Sequence, residues 1–327
     1  MSDETLTTAP AAGGRSRLRR SGLAGQIPLL TLVVLVAVAA LAAPRFLTVL
    51  NLTNVLVQGA VIAVVAMGMT FVIVGGGFDL SVGSTVALAG CIGAMVMLKA
   101  GIVAGVAAGI AIGALVGLIN GLVVAYLRVN PFITTLGTMV LVRGVVYIVT
   151  GGAPVEGDFG LPAAFVDFGA ARFVGIHLLV WVPAALLLVF SWLLHATPYG
   201  KRVFAVGGGR EAAFLSGLAV ERVVTSTYVW CGALAGVAGM MLASRLQSGQ
   251  PTAGEFYELT AIAAVVLGGA ALQGGEGTLY KSIIGVFIMV VLGNGLNLMN
   301  VDSYWQRVAI GAVIIAAAAA DRFRKRF

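Results

Sequence analysis

Charge is scarce in this chain. Of its 327 residues only 10% are Asp, Glu, Lys or Arg, while 60% are hydrophobic and the mean hydropathy is +1.04. That balance excludes an ordinary soluble domain. Cysteine is limited to Cys91 and Cys231, each inside an apolar run. They read as buried free thiols, not as a disulfide or a metal pair. The two histidines, His177 and His195, sit at the edges of apolar runs, where interface packing is expected and metal binding is not. Acids number 13 against 20 bases. The net +7 gathers at the two ends and in one interior loop, which points to water and anionic lipid and away from nucleic acid. No G-x-x-x-x-G-K-[ST] loop occurs, so ATP binding by a phosphate-cradling loop is excluded for this chain.

What is abundant is apolar runs of about 17 to 25 residues, the length that crosses a bilayer as a helix. They fall at 27–43, 54–74, 82–98, 102–126, 132–150, 177–194, 224–243, 259–273, 280–299 and 305–320. The fold class is an all-α polytopic membrane protein of about ten transmembrane helices, because at these lengths only helices satisfy their own backbone in lipid. Residues 1–24 read as a disordered basic cytoplasmic tail, 25–322 as the transmembrane domain, and 323–327 as a second basic tail. The first run also fits a signal peptide, with Ala40-Leu41-Ala42 as its cleavage site. An even number of spans puts both tails on one side. With the tails inside, all basic residues except Arg45, Lys99, Arg143, Arg172, Arg245 and Arg307 are cytoplasmic.

Glycines recur at 101, 105, 109, 113, 117 and 121 in the fourth span. They allow close helix contact in lipid. A four-residue step drifts by about 40° at 3.6 residues per turn, so the row should serve more than one neighbour. Two stretches also resemble each other. Gly77-Phe78-Asp79-Leu80-Ser81 matches Phe256-Tyr257-Glu258-Leu259-Thr260 in pattern, Asn120-Gly121-Leu122 matches Asn294-Gly295-Leu296, and Val129 to Phe132 matches Val301 to Tyr304. The offsets of 179, 174 and 172 shrink smoothly. Residues 54–150 therefore read as repeated, inverted, at 224–320, a device of transporters that open alternately to each side. Asp79 and Glu258 become matching structural caps at the starts of two spans, on opposite membrane faces. Arg143 falls within a span, where a charge usually faces a cavity or a partner helix, so it lines a pathway or braces the span that does.

The longest interior polar stretch, 195–222, holds a short helix at Arg210-Glu211-Ala212-Ala213-Phe214-Leu215. Gly207 to Gly209 free the backbone before it, and Gly217 can end it in a left-handed cap. Ala212, Leu215 and Ala219 fall on one side with Phe214 beside them. So short a helix does not stand alone in water. It reads either as a surface helix on its own bundle or as a plug for a groove on a soluble partner.

The runs Gly75 to Ser84, Pro131 to Gly137, Arg143-Gly144, Gln250 to Gly254, Tyr257-Glu258-Leu259, Ala261 to Gly269 and Asn294 to Leu298 together resemble the ribose-type permease subunits of bacterial ATP-binding-cassette importers, over residues 45–322. The resemblance implies a homodimeric pore in the inner membrane, a cytoplasmic ATPase subunit that carries ATP and Mg, and a periplasmic sugar-binding protein. It implies no catalytic residue, metal or cofactor in this chain. It places the coupling helix at Arg210 to Gly217. Thr260 and Glu276 depart from the family pattern, which has aspartate and lysine there. On this reading the loops 151–176 and 245–257 form the outer mouth, Arg245 pairs with an acid of the binding protein, and Thr134, Thr135, Thr138, Asn294 and Asn297 line the path with Arg143. The cargo is a monosaccharide; a nucleoside, an autoinducer sugar or a polyol fits the same role. The rival is an ion-coupled secondary transporter, which needs carboxylates near the membrane midplane.

Overall fold

A computed structural model describes residues 26–158 and 160–324. Among the described residues the chain is a bundle of helices with one short hairpin. In order they are α1 (Ile27–Ala42), α2 (Val49–Val74), α3 (Val82–Ala100), α4 (Ile102–Ala125), α5 (Pro131–Thr150), α6 (Ala163–Ala170), β1 (Arg172–Phe173) and β2 (Ile176–His177). Then come α7 (Leu178–Ala196), α8 (Pro198–Gly208), α9 (Arg210–Leu215), α10 (Val220–Leu246), α11 (Tyr257–Leu267), α12 (Leu279–Leu298) and α13 (Ser303–Arg324). Seven of the described helices, namely α2, α3, α4, α5, α7, α10 and α12, are long and apolar enough to cross a membrane. The apolar stretches Ile27–Ala42, Tyr257–Leu267 and Tyr304–Ala316, the last within α13, are shorter.

Helix ends follow local chemistry. Pro131 opens α5 while the Asn130 side chain accepts from Phe132 N at 2.9 Å, and Gly151 closes it at φ 62°. Thr48 and Thr197 cap α2 and α8 in the same manner. The tail at 1–24 lies outside the described residues. At the other end α13 continues to Arg324, into the stretch read as tail, and 325–327 lie outside the described residues. The α1 segment packs on α12 and buries Ala39 and Ala43 in the core, so in this fold it acts as part of the bundle.

The centre is α2 crossing α10. Val61, Val64, Ala66, Met67 and Phe71 on α2 are fully covered, as are Tyr228, Cys231 and Ala235 on α10. A side chain on Gly68 would lie 2.8 Å from the Cys231 backbone, so the two helices touch main chain to main chain there. Both cysteines are buried and free, as the sequence suggests.

The glycine row of α4 serves two neighbours. Gly105 meets Gly93 and Met97 of α3; Gly109 meets Ala89 of α3 and Met240 of α10; Gly113, Gly117 and Gly121 meet Gly232, Tyr228 and Thr225 of α10. The row turns from one helix to the next as the drift of its spacing requires. A like pair of approaches joins α11 to α12, where Gly268 lies against the Lys281 carbonyl and Gly285 against that of Ala264.

One expectation fails. Asp79 and Glu258 do not lie at opposite faces. The Glu258 carboxylate and the Gly254 carbonyl fill the space where a side chain on Gly83 would be, so the N-termini of α3 and α11 meet inside the bundle. From that junction the helices run apart. Gly249, near the end with the 151–177 segment, lies against Cys91 and Ala94 of α3, while Gly274, after α11, lies against Gly76 and Gly207 at the other end. At 1.5 Å per residue α11 is only about 16 Å long. The expected span at 259–273 is therefore a helix too short to cross a bilayer by itself, preceded by the non-helical segment 247–256. An acid at a helix start looks the same in sequence whether that start is at the surface or in the interior.

Gly113→Leu should prevent a monodisperse bundle. The obstacle is the Gly232 and Gly236 backbone, so the cost exceeds the ~1–3 kcal/mol of ordinary overpacking. Gly137→Ala, with nothing within 4 Å, should leave the elution profile and melting temperature in detergent unchanged.

Candidate functional site

Two places in the bundle carry chemistry. The first is the polar loop between α7 and α10. It contains an element the sequence did not suggest, α8. Val203 and Val206 of α8 are buried, and Gly207 is pressed against the Val74 carbonyl so closely that no side chain fits. The Tyr199 hydroxyl shares a 2.9 Å hydrogen bond with Ser226 Oγ, which ties α8 to α10. Burial holds the Tyr199 phenol above its usual range, against the opposing effect of that bond.

Next comes α9, where the coupling helix was expected. Gly217 has φ +79°, its N–H donates to the Phe214 carbonyl at 2.9 Å, and Leu218 N–H donates to the Ala213 carbonyl at 3.1 Å. That pair of bonds is a Schellman cap. The cap folds Leu218 back over the helix, and it sets which face is covered. Ala213 is the buried residue, not Ala212, while Phe214 and Leu215 stand 63% and 79% exposed. Arg210, Glu211, Ala212 and Ala219 are exposed as well. Beside α9 a cavity of about 450 Å³ opens, lined by Arg128, Asn130 and Pro131 as well as Arg210, Glu211 and Phe214. The helix therefore stands off the bundle on one side and shows an apolar tip flanked by charge.

The second place is the junction of α3 and α11, faced by α5. Asp79 is 1% exposed, and one of its oxygens, Oδ1, accepts from Ser81 N at 2.9 Å, Ser81 Oγ at 2.6 Å and Asn120 Nδ2 at 3.4 Å. Asn120 also donates to Ser81 Oγ at 2.9 Å and accepts from Thr138 Oγ1 at 2.7 Å. Tyr228 donates to the Phe78 carbonyl at 3.0 Å. Together these bonds fix the non-helical approach to α3. On the other side of the junction Arg143 Nη1 donates to the Pro251 and Ala253 carbonyls at 2.6 and 3.0 Å. Arg143 thus braces the non-helical approach to α11. Between these elements lies an open cavity of about 290 Å³, bordered by Ser84, Met139, Val140, Arg143, Glu255, Phe256 and Glu258.

Of the residues expected along a path, Arg143 reaches this cavity. Thr135 is buried and donates to the Pro131 carbonyl of its own helix, and Thr138 donates to Asn120, which joins α5 to α4. Thr134 Oγ1 is buried and has no partner among the described residues. Asn294 exchanges two hydrogen bonds with Asn51 at 2.9 and 2.8 Å and locks α12 to α2, while Asn297 is exposed. Arg245 is half-buried in the last turn of α10. The isolated bridge of Val155 to Gly249 joins the 151–176 and 245–257 loops as one surface. Ser84, Glu255 and Phe256 were missed as site residues. Ser84 ends the Gly75 to Ser84 run, and Glu255 and Phe256 lie in the 245–257 loop, but no local pattern singles them out. Thr260 donates to the Phe256 carbonyl at 2.9 Å, a local bond that an aspartate would not supply.

Residues 51–318 match the family model described as branched-chain amino acid transport system / permease component. The chain is 42% identical to the ribose import permease protein RbsC of Escherichia coli (strain K12), over 96% of this chain and 98% of that one. It is 46% identical to the protein of the same name in Bacillus subtilis (strain 168), over 90% and 92%. It is 38% identical to the L-arabinose transport system permease protein AraH of Escherichia coli (strain K12), over 91% and 90%. No solved structure matches. A bundle of apolar helices, matched along nearly its whole length, thus belongs to the family of branched-chain amino acid transport system permease components.

Proposed function

We propose that this chain is the membrane-spanning permease subunit of an ATP-binding-cassette importer, which passes a monosaccharide inward while a separate ATPase subunit, holding ATP and Mg, supplies the energy. It is a transport subunit of the bacterial inner membrane and not an enzyme. The relatives named for ribose and L-arabinose support a pentose-like cargo. The observation that carries the reading is α9, a capped helix whose Phe214 and Leu215 stand clear of the bundle. A groove on a soluble ATPase would bury these two side chains, at ~1.5–3 kcal/mol each.

In this reading the ten apolar helices make ten crossings with both termini in the cytoplasm, α3 and α11 each sharing its crossing with a non-helical stretch. Residues 54–150 and 224–320 are inverted copies. The glycine contacts support this. Gly93 and Gly109 meet the carbonyls of Gly105 and Ala89, while Gly268 and Gly285 meet those of Lys281 and Ala264. The offsets are 175 or 176, between the 179 and 174 of the sequence matches that flank them. The packing has the same order twice: α4 on α3 and α10, and α12 on α11 and α2. A second copy of the chain completes the pore against α5, whose Phe132, Ile133, Leu141 and Ile148 are exposed and whose Gly137 and Gly144 face open space. A periplasmic sugar-binding protein docks on the 151–176 and 245–257 loops, with Arg245 at their base. When the ATPase closes, α9 is pushed, α8 and α10 carry the push, and the copies rock. Carboxylates inside the bundle are also what an ion-driven transporter needs, and Asp79 and Glu258 are there. Uptake that stops without ATP yet survives an ionophore separates the two.

Phe214→Asp should leave membrane insertion and the melting temperature unchanged, because Phe214 is largely exposed. In proteoliposomes that contain the complete importer, it should cut sugar uptake at least tenfold, matching the loss of roughly 1.5–3 kcal/mol of burial. Full uptake would refute the wedge. Separately, Gly137→Trp should turn a two-copy particle into single copies by native mass spectrometry with the helix content intact. Persistence of the pair would place the second copy elsewhere.

A further inference from the structure

At the junction of α3, α5 and α11 a cavity gathers groups from three separate helices. We propose that it is the station at which a neutral sugar pauses on its way through, with Glu258, Arg143, Ser84 and Phe256 as its contacts. This rests on the reading of the chain as a sugar permease.

The chemistry of the cavity is that of a polyol site. Sugar hydroxyls both donate and accept. Glu258 offers carboxylate acceptors, Arg143 donors, and Ser84 a hydroxyl of either kind. Arg143 uses a single nitrogen, Nη1, for both of its backbone bonds, so the guanidinium keeps further donors. Phe256 supplies an apolar ring of the sort that covers the C–H face of a sugar. It is half exposed and held at φ +64°, a conformation that a bulky side chain rarely adopts. Arg307 of α13 lies over its ring at 5.2 Å and steadies it. A strained aromatic residue at the edge of a cavity is the kind of outlier from which function is inferred. The volume of about 290 Å³ is near the lower end for small-molecule sites, which suits a single monosaccharide.

Charge defines the cargo class. Helix N-termini that meet inside a membrane protein usually attract an anion. Here the chain's own carboxylates are already at the meeting point: Asp79 caps the approach to α3, and Glu258 sits against its first turn. Glu255 and Glu258 face Arg143 across the cavity, and Arg307 stands behind Phe256, so the surroundings are balanced. Such a site accepts an uncharged polyol and disfavours a sugar phosphate. Since the contacts come from three helices, a small separation of α3, α5 and α11 would dissolve the site and release its cargo.

The test uses the complete importer, purified with its ATPase and binding protein and reconstituted in liposomes, with labelled D-ribose and L-arabinose as probes. Val140, 65% exposed at the cavity, is replaced by Cys and labelled with a membrane-impermeant thiol reagent during ATP turnover. Sugar-loaded binding protein should slow the labelling at least threefold relative to the unloaded protein at the same ATP. Glu258→Gln should lower uptake about tenfold, the effect of losing one hydrogen bond to a charged group, and Glu258→Asp should restore part of it. Labelling that ignores the sugar, with normal uptake in Glu258→Gln, would overturn the station and leave the permease reading standing. A loss in Glu258→Gln that follows a lowered melting temperature, with no protection at Val140→Cys, would also overturn it, as a purely structural role. Absence of ATP-driven uptake of both sugars by the unmodified complex would overturn the permease reading and the station together.

Discussion

Everything in this bundle depends on how backbone that is not helical is satisfied where water is absent. A peptide group left unpaired in hydrocarbon costs several kcal/mol, so irregular chain survives at membrane depth only inside protein or along a cavity. Two such segments, 75–81 and 247–256, enter the bundle and end at a common junction. Their carbonyls find side chains brought from elsewhere. Tyr228 of α10 reaches Phe78, and Arg143 of α5 reaches Pro251 and Ala253. The costly charge in α5 is thus used to hold a break in the helical pattern. The same break puts a polar cavity inside an apolar protein.

The glycines serve that arrangement from outside. Because α4 lies so close to α3 and α10, Asn120 on α4 can reach Asp79 and Ser81 and still accept from Thr138 on α5. A bulkier seam would move Asn120 out of hydrogen-bonding range, and a buried carboxylate would lose a donor. Packing and polarity are therefore one problem: the small residues set helix spacing, and helix spacing decides whether the buried polar groups are matched.

Much of this was legible in the sequence. Hydropathy located the apolar helices to within a few residues, except α11, which stops at Leu267 where the apolar run continues to 273. The four-residue glycine step gave the turn of contacts from α3 to α10. Gly217 signalled the cap of α9, as a left-handed position after a short helix demands. What stayed hidden depends on depth and on partners. Asp79 and Glu258 lie near the starts of helices, but nothing local says that those helices start in the interior. Asn294 was read as a lining residue, while its partner Asn51 lies far away in sequence and turns it into a clamp between α12 and α2. Which side of α9 is covered was left open, and the cap decides it by folding Leu218 back so that Ala213 is the buried residue. And α8 was unseen because its Gly-rich, charged sequence is a poor helix former, with Val203 and Val206 buried against the bundle to hold it.

The two polar places lie at different depths of one continuous framework. Tyr199 ties α8 to α10 through Ser226, Gly207 holds α8 against the end of α2, and α10 carries Tyr228, which holds Phe78 at the approach to the junction. A displacement of the polar loop therefore has a rigid route to the interior: through α8 to α10, and from α10 to the segment that leads into α3. Close main-chain contacts make that route stiff, since a bundle packed on glycine backbone has little slack to absorb a push. The breaks at 75–81 and 247–256 are where the stiffness ends. A bundle that is rigid along α2, α4 and α10 and interrupted at one seam will move at the seam, and the seam is where Glu258, Arg143 and Ser84 face one another.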